Sequence, residues 1–279
     1  MLVDSEANPQ EIKQLIDLIP TGEHHKWFGS MTSSQTLALS ILGNLAKHGS
    51  LECLAELIND EGMSLSGNAE ISSEHFEMEH KIKYLGERRQ TSLDGYIQGD
   101  YQIAIECKFT EEGVGTCSRP RLTRKDAAYL SEYCNGSYKV QKPRDGRCSL
   151  SQTGVKYWDY LPKLFKWDKD ADYTICPLNK NYQLVRNILA AGVRPDGSVS
   201  KDYGHAVLIY DDRNPAFYDE RNKDFKEIGK GLASFRERRD ALQEPAMLRK
   251  CSWQRITGLM REKSILPWLT VQLDKKYGL

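Results

Sequence analysis

Acidic and basic residues stand on two neighbouring segments of the chain in an arrangement that could hydrolyse a phosphodiester. Asp94 lies in the segment TSLDGYI, and Glu106 and Lys108 lie in the segment YQIAIECKF that follows it. Because side chains alternate along a strand, Glu106 and Lys108 share one face while the opposite face is apolar. Two carboxylates can hold Mg²⁺ through oxygen ligands, and a nearby lysine can orient the attacking water or offset developing charge. The spacing therefore predicts a metal-dependent phosphodiesterase site.

The same triplet has a simpler interpretation as the solvated charged face of an amphipathic strand. Two features favour the catalytic interpretation: the strand is strongly apolar on its other face, and Asp94 stands within a β-rich segment rather than at a turn tip. The loop between the segments sets a condition. A two-residue loop at Gly99-Asp100 would pair Asp94 with Ile105, so the hairpin must contain an odd-length loop or a bulge to bring Asp94 and Glu106 to one face.

Periodicity along the chain predicts the elements that position these residues. Helical spacing indicates a short helix opened by Pro9, and a longer one from a cap at Thr32 or Ser33 to Gly49. From residue 75 the period changes to two, and three successive segments predict an antiparallel meander: FEMEHKIKYL, TSLDGYI and YQIAIECKF. Later patterns predict helices in GVKYWDYLPKLF and NYQLVRNILAAG, a strand buried on both faces in GHAVLIYD, and terminal helices interrupted at Pro267. This order predicts an α/β fold, an α/β/α sandwich with a mixed central sheet built on the three-stranded meander.

The length of 279 residues and the uninterrupted composition predict a single domain over 1–279. Within it we expect an N-terminal helical layer at 1–70, the catalytic meander at 71–110, a basic cysteine-containing insert at 111–176, and a helix, a strand and further helices at 177–279 that complete the core. The chain contains no run of eighteen or more apolar residues, and its first residues do not resemble a signal peptide. The expectation is a cytoplasmic protein without membrane contact.

The formal charge is zero overall but unevenly distributed. Residues 1–80 carry 13 acidic and 3 basic residues, whereas residues 81–279 carry 26 acidic and 36 basic residues. The basic excess is densest at 118–148, directly after the candidate strand, where a nucleic-acid backbone would have to be held. The candidate contacts are Arg119, Arg121, Arg124 and Lys125. A solvated loop is the alternative interpretation of this stretch.

Four of the seven cysteines are spread through the polar region after the meander: Cys117, Cys134, Cys148 and Cys176. Four thiolates could hold zinc or an iron–sulfur cluster. The chain has no C-x₂-C pair, however, and the spacings match no standard ligand run, so unlinked thiols are the default where no signal peptide is present. Both interpretations stay open.

The order of elements, together with Asp94, Glu106 and Lys108, resembles the PD-(D/E)xK, restriction-endonuclease-like nuclease superfamily. The resemblance covers roughly residues 30–210. It implies that the two acids bind Mg²⁺ or Mn²⁺, that the lysine assists the hydrolytic water, and that all three lie on the second and third strands of the meander. Leu93 stands where the motif has the proline of its name, a frequent variation in the superfamily.

The segments SSQ, TSLDGYI and IECKFTE further resemble a mostly uncharacterised bacterial branch of that superfamily. In that branch a glutamate on the first strand joins the site, and Glu77 is a better match than Glu79. Gln183 and Arg186 resemble polar helix positions that the superfamily uses beside the active site or the phosphate. Gln35, at the beginning of the long helix, is expected with them at the nucleic-acid side.

The sequence thus predicts an Mg²⁺-dependent DNA nuclease with a role in restriction, repair or defence. Two alternatives remain: a nucleic-acid-binding protein that keeps the fold without turnover, and a nuclease relative that carries zinc or an iron–sulfur cluster. DNA or RNA, single or double strands, and endo or exo cleavage are all left open. Cleavage of both strands would favour a homodimer.

Overall fold

The computed structural model describes residues 1–88, 90, 92–117, 134, 148–168, 171, 176–179, 181–217 and 239–279. Within these residues, one mixed sheet contains the strands β1 (Phe76–Lys81), β2 (Ser92–Ile97), β3 (Gln102–Cys107), β4 (Gly204–Tyr210) and β5 (Leu248–Ser252). β1, β2 and β3 are antiparallel neighbours in chain order, whereas β4 lies parallel to β3 and β5 lies parallel to β4. The predicted meander and mixed sheet are confirmed.

Helices cover both faces of this sheet. The α-helices are α1 (Pro9–Ile16), α2 (Ser34–Ala38), α3 (Asn44–Lys47), α4 (Ser149–Gln152), α5 (Tyr157–Leu164), α6 (Tyr182–Gly192), α7 (Trp253–Glu262) and α8 (Pro267–Tyr277). A π-helical turn, Leu39–Gly43, joins α2 to α3. Short 3₁₀ helices lie at Thr21–Glu23, Leu51–Glu56, Ser73–His75, Pro215–Phe217 and Pro245–Met247. None of the helices in the described part of the chain combines the length and the apolar composition that crossing a membrane requires.

Local sequence accounts for where the first two helices begin. The side chain of Asn8 accepts hydrogen bonds from the N–H groups of Gln10 and Glu11, and the carboxylate of Glu11 accepts one from the N–H of Asn8. This reciprocal arrangement satisfies N–H groups that have no partner inside the helix. The hydroxyl of Ser33 caps α2 by accepting a hydrogen bond from the N–H of Thr36. Ser33 is therefore the capping residue of the two that the sequence allowed.

Apolar side chains pack on both faces of the sheet. On one face Ile103, Ile105 and Cys107 of β3 join a cluster formed with α1, α2, α3, α7 and α8. On the other face Ala104 joins a cluster formed with α4, α5 and α6. β4 is buried at every position, as the continuous apolar run in its sequence predicted. The α/β/α sandwich is thereby confirmed.

The last strand, β5, is missing from the sequence-based prediction because its segment LRKCS carries two basic residues and no alternating pattern. Arg249 in this strand is nevertheless buried. Its guanidinium group donates hydrogen bonds to the carbonyl oxygens of Ala246 and Ser64. Those bonds satisfy the buried charge, so a basic residue can occupy a strand that pairs with β4 over five positions.

Candidate active site

The loop between β2 and β3 sets Asp94 opposite Glu106. The paired residues of the two strands are Gly95 with Ile105, Tyr96 with Ala104 and Ile97 with Ile103. Five residues, 98–102, therefore separate the last paired residues, Ile97 and Ile103, and one step beyond the Gly95–Ile105 pair the register sets Asp94 opposite Glu106. The backbone N–H of Cys107 donates a hydrogen bond of 2.6 Å to Oδ2 of Asp94. The odd-length loop that the catalytic interpretation required is present.

Glu106 lies in a buried network of charged and polar groups. Its Oε1 lies 2.7 Å from Nζ of Lys108. Its Oε2 accepts a hydrogen bond of 3.0 Å from Nδ2 of Asn187 and lies 3.5 Å from Nη2 of Arg186. Glu106 and Lys108 are only 2% and 7% exposed, because α6 covers this face of β3. The alternative of a solvated charged strand face is therefore wrong.

The pKa values of the two opposed carboxyl groups shift in opposite directions. Burial raises the pKa of Glu106, but the charges of Lys108 and Arg186 outweigh it, so the net pKa lies below its usual value. Burial and the charge of Glu106 together raise the pKa of Asp94 well above its usual value. Burial lowers the pKa of Lys108, yet the neighbouring carboxylates more than compensate and the net pKa is raised. Glu106 and Lys108 thus form the ionised pair, and Asp94 retains its proton more readily.

Asp94 is the member of this group that solvent reaches. It is partly accessible, whereas Glu106 and Lys108 are buried. Burial of its carboxyl group is nevertheless the largest cause of its raised pKa. Its Oδ2 is held by the N–H of Cys107, and its Oδ1 makes no hydrogen bond to the described residues.

The carboxylates suit a divalent cation that keeps part of its water shell. Three carboxyl groups, those of Asp94, Glu106 and Glu79, face the two cations of Lys108 and Arg186, and the charges of Glu106 and Glu79 add to burial in raising the pKa of Asp94. No three His, Cys, Asp or Glu side chains among the described residues converge into a complete ligand set. Mg²⁺ accepts such a site, since one or two carboxylates with waters and phosphate oxygens commonly complete its coordination. Zinc sites usually need three or four protein ligands.

Glu77, the β1 acid expected in the site, lies outside this group. It is exposed, and its carboxylate accepts a hydrogen bond of 2.8 Å from Nε2 of Gln98 and lies 2.6 Å from Nδ1 of His80. The structure therefore contradicts the placement of Glu77 beside Asp94. The alternation of side chains along a strand could not decide between Glu77 and Glu79, because residues two apart on a strand share a face.

Glu79 occupies the position that Glu77 was expected to fill. The neighbouring pairs of β1 and β2 are Met78 with Gly95 and His80 with Leu93. The register between these pairs sets Glu79 opposite Asp94, and the charge of Glu79 contributes to the raised pKa of Asp94. Glu79 is buried and has a φ of 51°, in the left-handed region that residues other than glycine rarely adopt. Backbone strain of this kind is concentrated at functional sites.

Gln35 supports Glu79 and does not face nucleic acid as expected. Its Nε2 donates hydrogen bonds of 2.5 Å to Oε1 of Glu79 and 2.9 Å to the carbonyl of Glu23. Its Oε1 accepts a hydrogen bond of 2.9 Å from the N–H of His25. The amide of Gln35 is buried and makes all its hydrogen bonds within the protein. The expected contact of Gln35 with nucleic acid is therefore wrong, and its side chain instead holds Glu79.

α6 brings Arg186 to Glu106 but leaves Gln183 aside. Arg186 is buried, and its guanidinium group also donates two hydrogen bonds of 3.2 Å to Oδ1 of Asn187, so it is not presented to a phosphate. Gln183 is half-buried against Gly115, where an added Cβ would meet its Oε1 at 2.2 Å. Asn187 is the additional residue that sequence reasoning missed. It follows Gln183 by four positions, the spacing that places two helical side chains on one face.

The remaining predicted residues do not extend the site. Arg119, Arg121, Arg124 and Lys125 lie outside the described residues. The four cysteines Cys117, Cys134, Cys148 and Cys176 pack in or against the apolar cluster formed with α5 and α6. No group of three potential ligands in the described ranges could hold a metal ion, so these cysteines give no support to the zinc or iron–sulfur alternative, and unlinked thiols remain the default interpretation.

The backbone around Lys108 is fixed by later parts of the chain. Its N–H donates a hydrogen bond of 2.8 Å to the carbonyl of Ile209 in β4. Its carbonyl accepts a hydrogen bond of 3.0 Å from Nε1 of Trp253, the first residue of α7. Nδ2 of Asn214 binds the carbonyl oxygens of Phe109 and Glu111 at 2.8 and 3.0 Å. These bonds fix the main chain, and the lysine side chain is left to reach the carboxylates.

A five-stranded mixed sheet with helices on both faces, whose meander sets Asp94 opposite Glu106 and Lys108 beside it, has the architecture of restriction-endonuclease-like proteins. The model of the family described as restriction endonuclease associating with ARP matches residues 5–278, and the chain belongs to that family. Comparisons with curated proteins and with solved structures gave no match. The expected restriction-endonuclease-like family is confirmed, and membership points to a nuclease role in restriction or defence.

Proposed function

We propose that this protein is an Mg²⁺-dependent nuclease that hydrolyses phosphodiester bonds in DNA. The observation that carries the proposal is the buried pairing of Glu106 with Lys108 at 2.7 Å, at the strand position opposite Asp94. The restriction-endonuclease family description supports both the reaction class and DNA as the substrate. A water oxygen would form the new bond to phosphorus as one P–O ester bond breaks.

Asp94 and Glu106 would hold the cation, and Mn²⁺ would substitute for Mg²⁺. Bound Mg²⁺ supplies Lewis-acid polarisation of the phosphate and lowers the pKa of a coordinated water. Glu106 is kept ionised by Lys108 and Arg186, so it can serve as a ligand without first losing a proton. Asp94 has a raised pKa and must release its proton on binding, which makes the affinity fall as the pH is lowered.

Lys108 would orient the attacking water or stabilise charge on the transition state. Because its pKa is raised, the ammonium group stays protonated and can donate hydrogen bonds, which favours these roles over that of a general base. Asn187 and Arg186 would act through Glu106 as positioning residues. Glu79 takes the supplementary role first assigned to Glu77.

The proposal for the DNA backbone rests on charge in the sequence. Arg119, Arg121, Arg124 and Lys125 directly follow the catalytic meander, and basic side chains supply most non-specific affinity for DNA. The family description also names ARP, and we extend that association to this chain as a proposed partner. A homodimer would supply two sites for two strands, a state that light scattering on the purified protein would detect.

The test is incubation of the purified protein with linear and circular DNA in Mg²⁺ or EDTA. Asp94→Ala and Lys108→Ala should each lower the cleavage rate by about 10³-fold or more, because each removes a ligand or charge used in the transition state. Circular dichroism would establish that both variants are folded. Glu77→Ala is the matched control, since this acid lies outside the site, and should retain cleavage within about twofold. Unchanged cleavage in either catalytic variant would refute the assignment, and circular DNA separates endo from exo attack.

A second candidate function is DNA binding without turnover. It is favoured by the internal satisfaction of Glu106, whose two oxygens already contact Lys108, Asn187 and Arg186. Calorimetric titration with Mg²⁺ and Mn²⁺ separates the candidates. Metal binding that disappears in Asp94→Ala supports the nuclease, and absence of metal binding in the parent protein favours the binder.

A further inference from the structure

A loop at the beginning of the long helix presents two large apolar side chains to solvent. Trp27 is 69% exposed and Met31 is 57% exposed. Both belong to residues 24–32, named here the Trp27 loop, which connects the 3₁₀ helix Thr21–Glu23 to the cap of α2. A single exposed apolar residue is ordinary on protein surfaces, but neighbouring ones on one loop are typical of a binding surface.

The backbone of the Trp27 loop is held by buried side chains of α2. Gln35 accepts a hydrogen bond from the N–H of His25 and donates one to the carbonyl of Glu23, each at 2.9 Å. The hydroxyl of Thr36 donates to the carbonyl of Phe28. Because the backbone is already fixed, binding through the exposed side chains would cost little further conformational entropy.

The same hydrogen bonds connect the loop to the candidate active site. The amide of Gln35 that holds the loop also donates to Glu79, which lies opposite Asp94. On the other side, Thr110, two residues after Lys108, donates a hydrogen bond of 3.2 Å to the carbonyl of Thr32. The Trp27 loop is therefore linked to β1 through Gln35, and it is bonded directly to the segment that follows β3.

Charge beside the exposed ring favours nucleic acid over an apolar protein partner. Nζ of Lys26 lies 5.0 Å from the ring centroid of Trp27. An ammonium group next to an exposed aromatic face matches a nucleotide, whose phosphate attracts the cation and whose base stacks on the ring. Base stacking on an aromatic side chain needs an unpaired base or an opened base step, because paired bases in a duplex already stack on each other.

We propose that the Trp27 loop binds an unpaired base of the DNA next to the scissile phosphodiester, with Trp27 stacked on the base and Lys26 near the adjoining phosphate. Met31 would enlarge the apolar contact on the same loop. This inference rests on the proposed function for DNA as the substrate, and it adds single-stranded or locally opened DNA as the preferred form.

Fluorescence anisotropy with a labelled single-stranded oligonucleotide and with the matching blunt duplex tests the proposal. All proteins carry Asp94→Asn, so that binding is measured without cleavage. Trp27→Ala should weaken binding to the single strand by about 10-fold, the lower part of the range for loss of one stacked base. Trp27→Phe should recover much of that loss because it keeps an aromatic face. Val271→Ala on α8 is the matched control, since Val271 is a similarly exposed apolar residue at 68%, and should bind like the parent.

Intrinsic fluorescence gives a second readout. Of the five tryptophans, Trp158 and Trp253 are buried and Trp167 and Trp268 are half-buried, whereas Trp27 is exposed, so a base stacked on the Trp27 loop should quench mainly Trp27. Most of the quenching should disappear in Trp27→Phe.

Unchanged affinity of Trp27→Ala for the single strand overturns the inference, and so does an equal loss in Val271→Ala or an equal loss on the duplex. The nuclease function is tested apart from this, by cleavage with unmutated Asp94. Binding that depends on Trp27, in a protein that never cuts DNA, would uphold the loop assignment and refute the nuclease. DNA cleavage, together with binding that does not depend on Trp27, would uphold the nuclease function and refute the loop assignment.

Discussion

The two faces of β3 carry different kinds of side chain. Toward α1, α2, α3, α7 and α8 the strand presents Ile103, Ile105 and Cys107 to a continuous apolar cluster. Toward α6 it presents Glu106, which contacts Lys108, Arg186 and Asn187 in a buried polar network. Neighbouring residues of one short strand therefore meet an apolar core on one side and buried charge on the other.

The apolar face of β3 is expected to stabilise the fold, and the charged face is expected to carry the proposed reaction. Fully burying an isoleucine side chain contributes about 1.5–3 kcal/mol, whereas a buried ion pair at best roughly offsets the desolvation of its members. We therefore expect the apolar face to stabilise the fold. We expect that replacing all the charged residues of the other face with apolar ones would change the free energy of unfolding little. Removing only one of them should lower it strongly, because its partner is then buried without its counter-charge.

Glu106→Gln is expected to have the largest effect on stability. It removes the carboxylate that Lys108 and Arg186 contact directly, which should lower the free energy of unfolding by about 4 kcal/mol. Since the pKa of Glu106 is depressed in the folded protein, its stabilisation is present above the unfolded-state pKa and lost as the pH falls through the folded value. Urea unfolding at neutral pH measures the loss.

Two further variants make the Glu106 measurement specific. Glu77→Gln neutralises an exposed carboxylate on the same sheet and should change stability by less than about 0.5 kcal/mol. Adding Lys108→Met to Glu106→Gln should recover part of the loss, because one unpaired charge is removed. A loss below about 1 kcal/mol in Glu106→Gln would show that the network contributes no more than a surface pair.

Ile103→Ala probes the apolar face. The cavity it leaves should cost about 3 kcal/mol of unfolding free energy. Cleavage per folded molecule should stay within about threefold of the parent, because the side chain lies on the face opposite Glu106. Urea unfolding and cleavage at a temperature where the variant is folded provide both quantities. A large fall in specific activity would show that the apolar face of β3 affects cleavage as well as stability.

Asn187→Ala tests whether the helix side of the network acts on Glu106. It removes the 3.0 Å hydrogen bond to Oε2, for which we expect about 2 kcal/mol less stability. With less support for its charge, Glu106 should also titrate at higher pH, so the acidic side of the profile of unfolding stability against pH should move upward. Gln183→Ala, on the same helix but away from Glu106, should leave the profile in place. Identical pH profiles for both variants would reduce Asn187 to a packing role.

Asp94→Asn should have the smallest effect on stability and the opposite sign. In the folded protein the pKa of Asp94 is raised, so its contribution is fully present below the unfolded pKa and is lost as the pH rises through the folded value. Without metal at neutral pH, the asparagine variant should therefore be more stable by about 1 kcal/mol.

Thermal unfolding in EDTA across pH measures that advantage of Asp94→Asn. It should vanish as the pH falls toward about 3, where the aspartate of the parent is protonated in both states. It should also disappear in saturating Mg²⁺, which binds only the parent tightly. A variant less stable than the parent at neutral pH in EDTA would mean that Asp94 is not strained by its neighbours.

The sequence predicted the central pairing because the evidence for it is local. Alternation on β3 placed Glu106 and Lys108 on one face, but it set Asp94 opposite Glu106 only on the condition of an odd-length loop or a bulge, which the register of β2 and β3 meets. The choice between Glu77 and Glu79 failed for a physical reason, since both lie on one nominal face. The register with β2 and the left-handed φ of Glu79 decide it, and neither is encoded by a simple pattern.

Long-range contacts account for the other differences. Gln35 and Asn187 gain their roles from partners 44 and 81 residues away, which no periodicity within a window can reveal. β5 was missed because the partners that satisfy its Arg249 belong to a distant loop as well as to the adjoining turn. The cysteine spacing left metal binding open, and the arrangement of the described residues gives it no support.

The bond from Trp253 to Lys108 has a consequence for the order in which the protein is made. It joins residues 145 positions apart. The N–H of Lys108 likewise finds its hydrogen-bond partner only when Ile209 of β4 has been synthesised. At ordinary translation speeds, roughly 10–30 s pass between synthesis of the lysine and synthesis of its indole partner. A nascent chain that already contains Asp94, Glu106 and Lys108 therefore lacks the support that fixes the lysine. Under the proposed nuclease function, the site would be complete only after β4 and α7 have been synthesised.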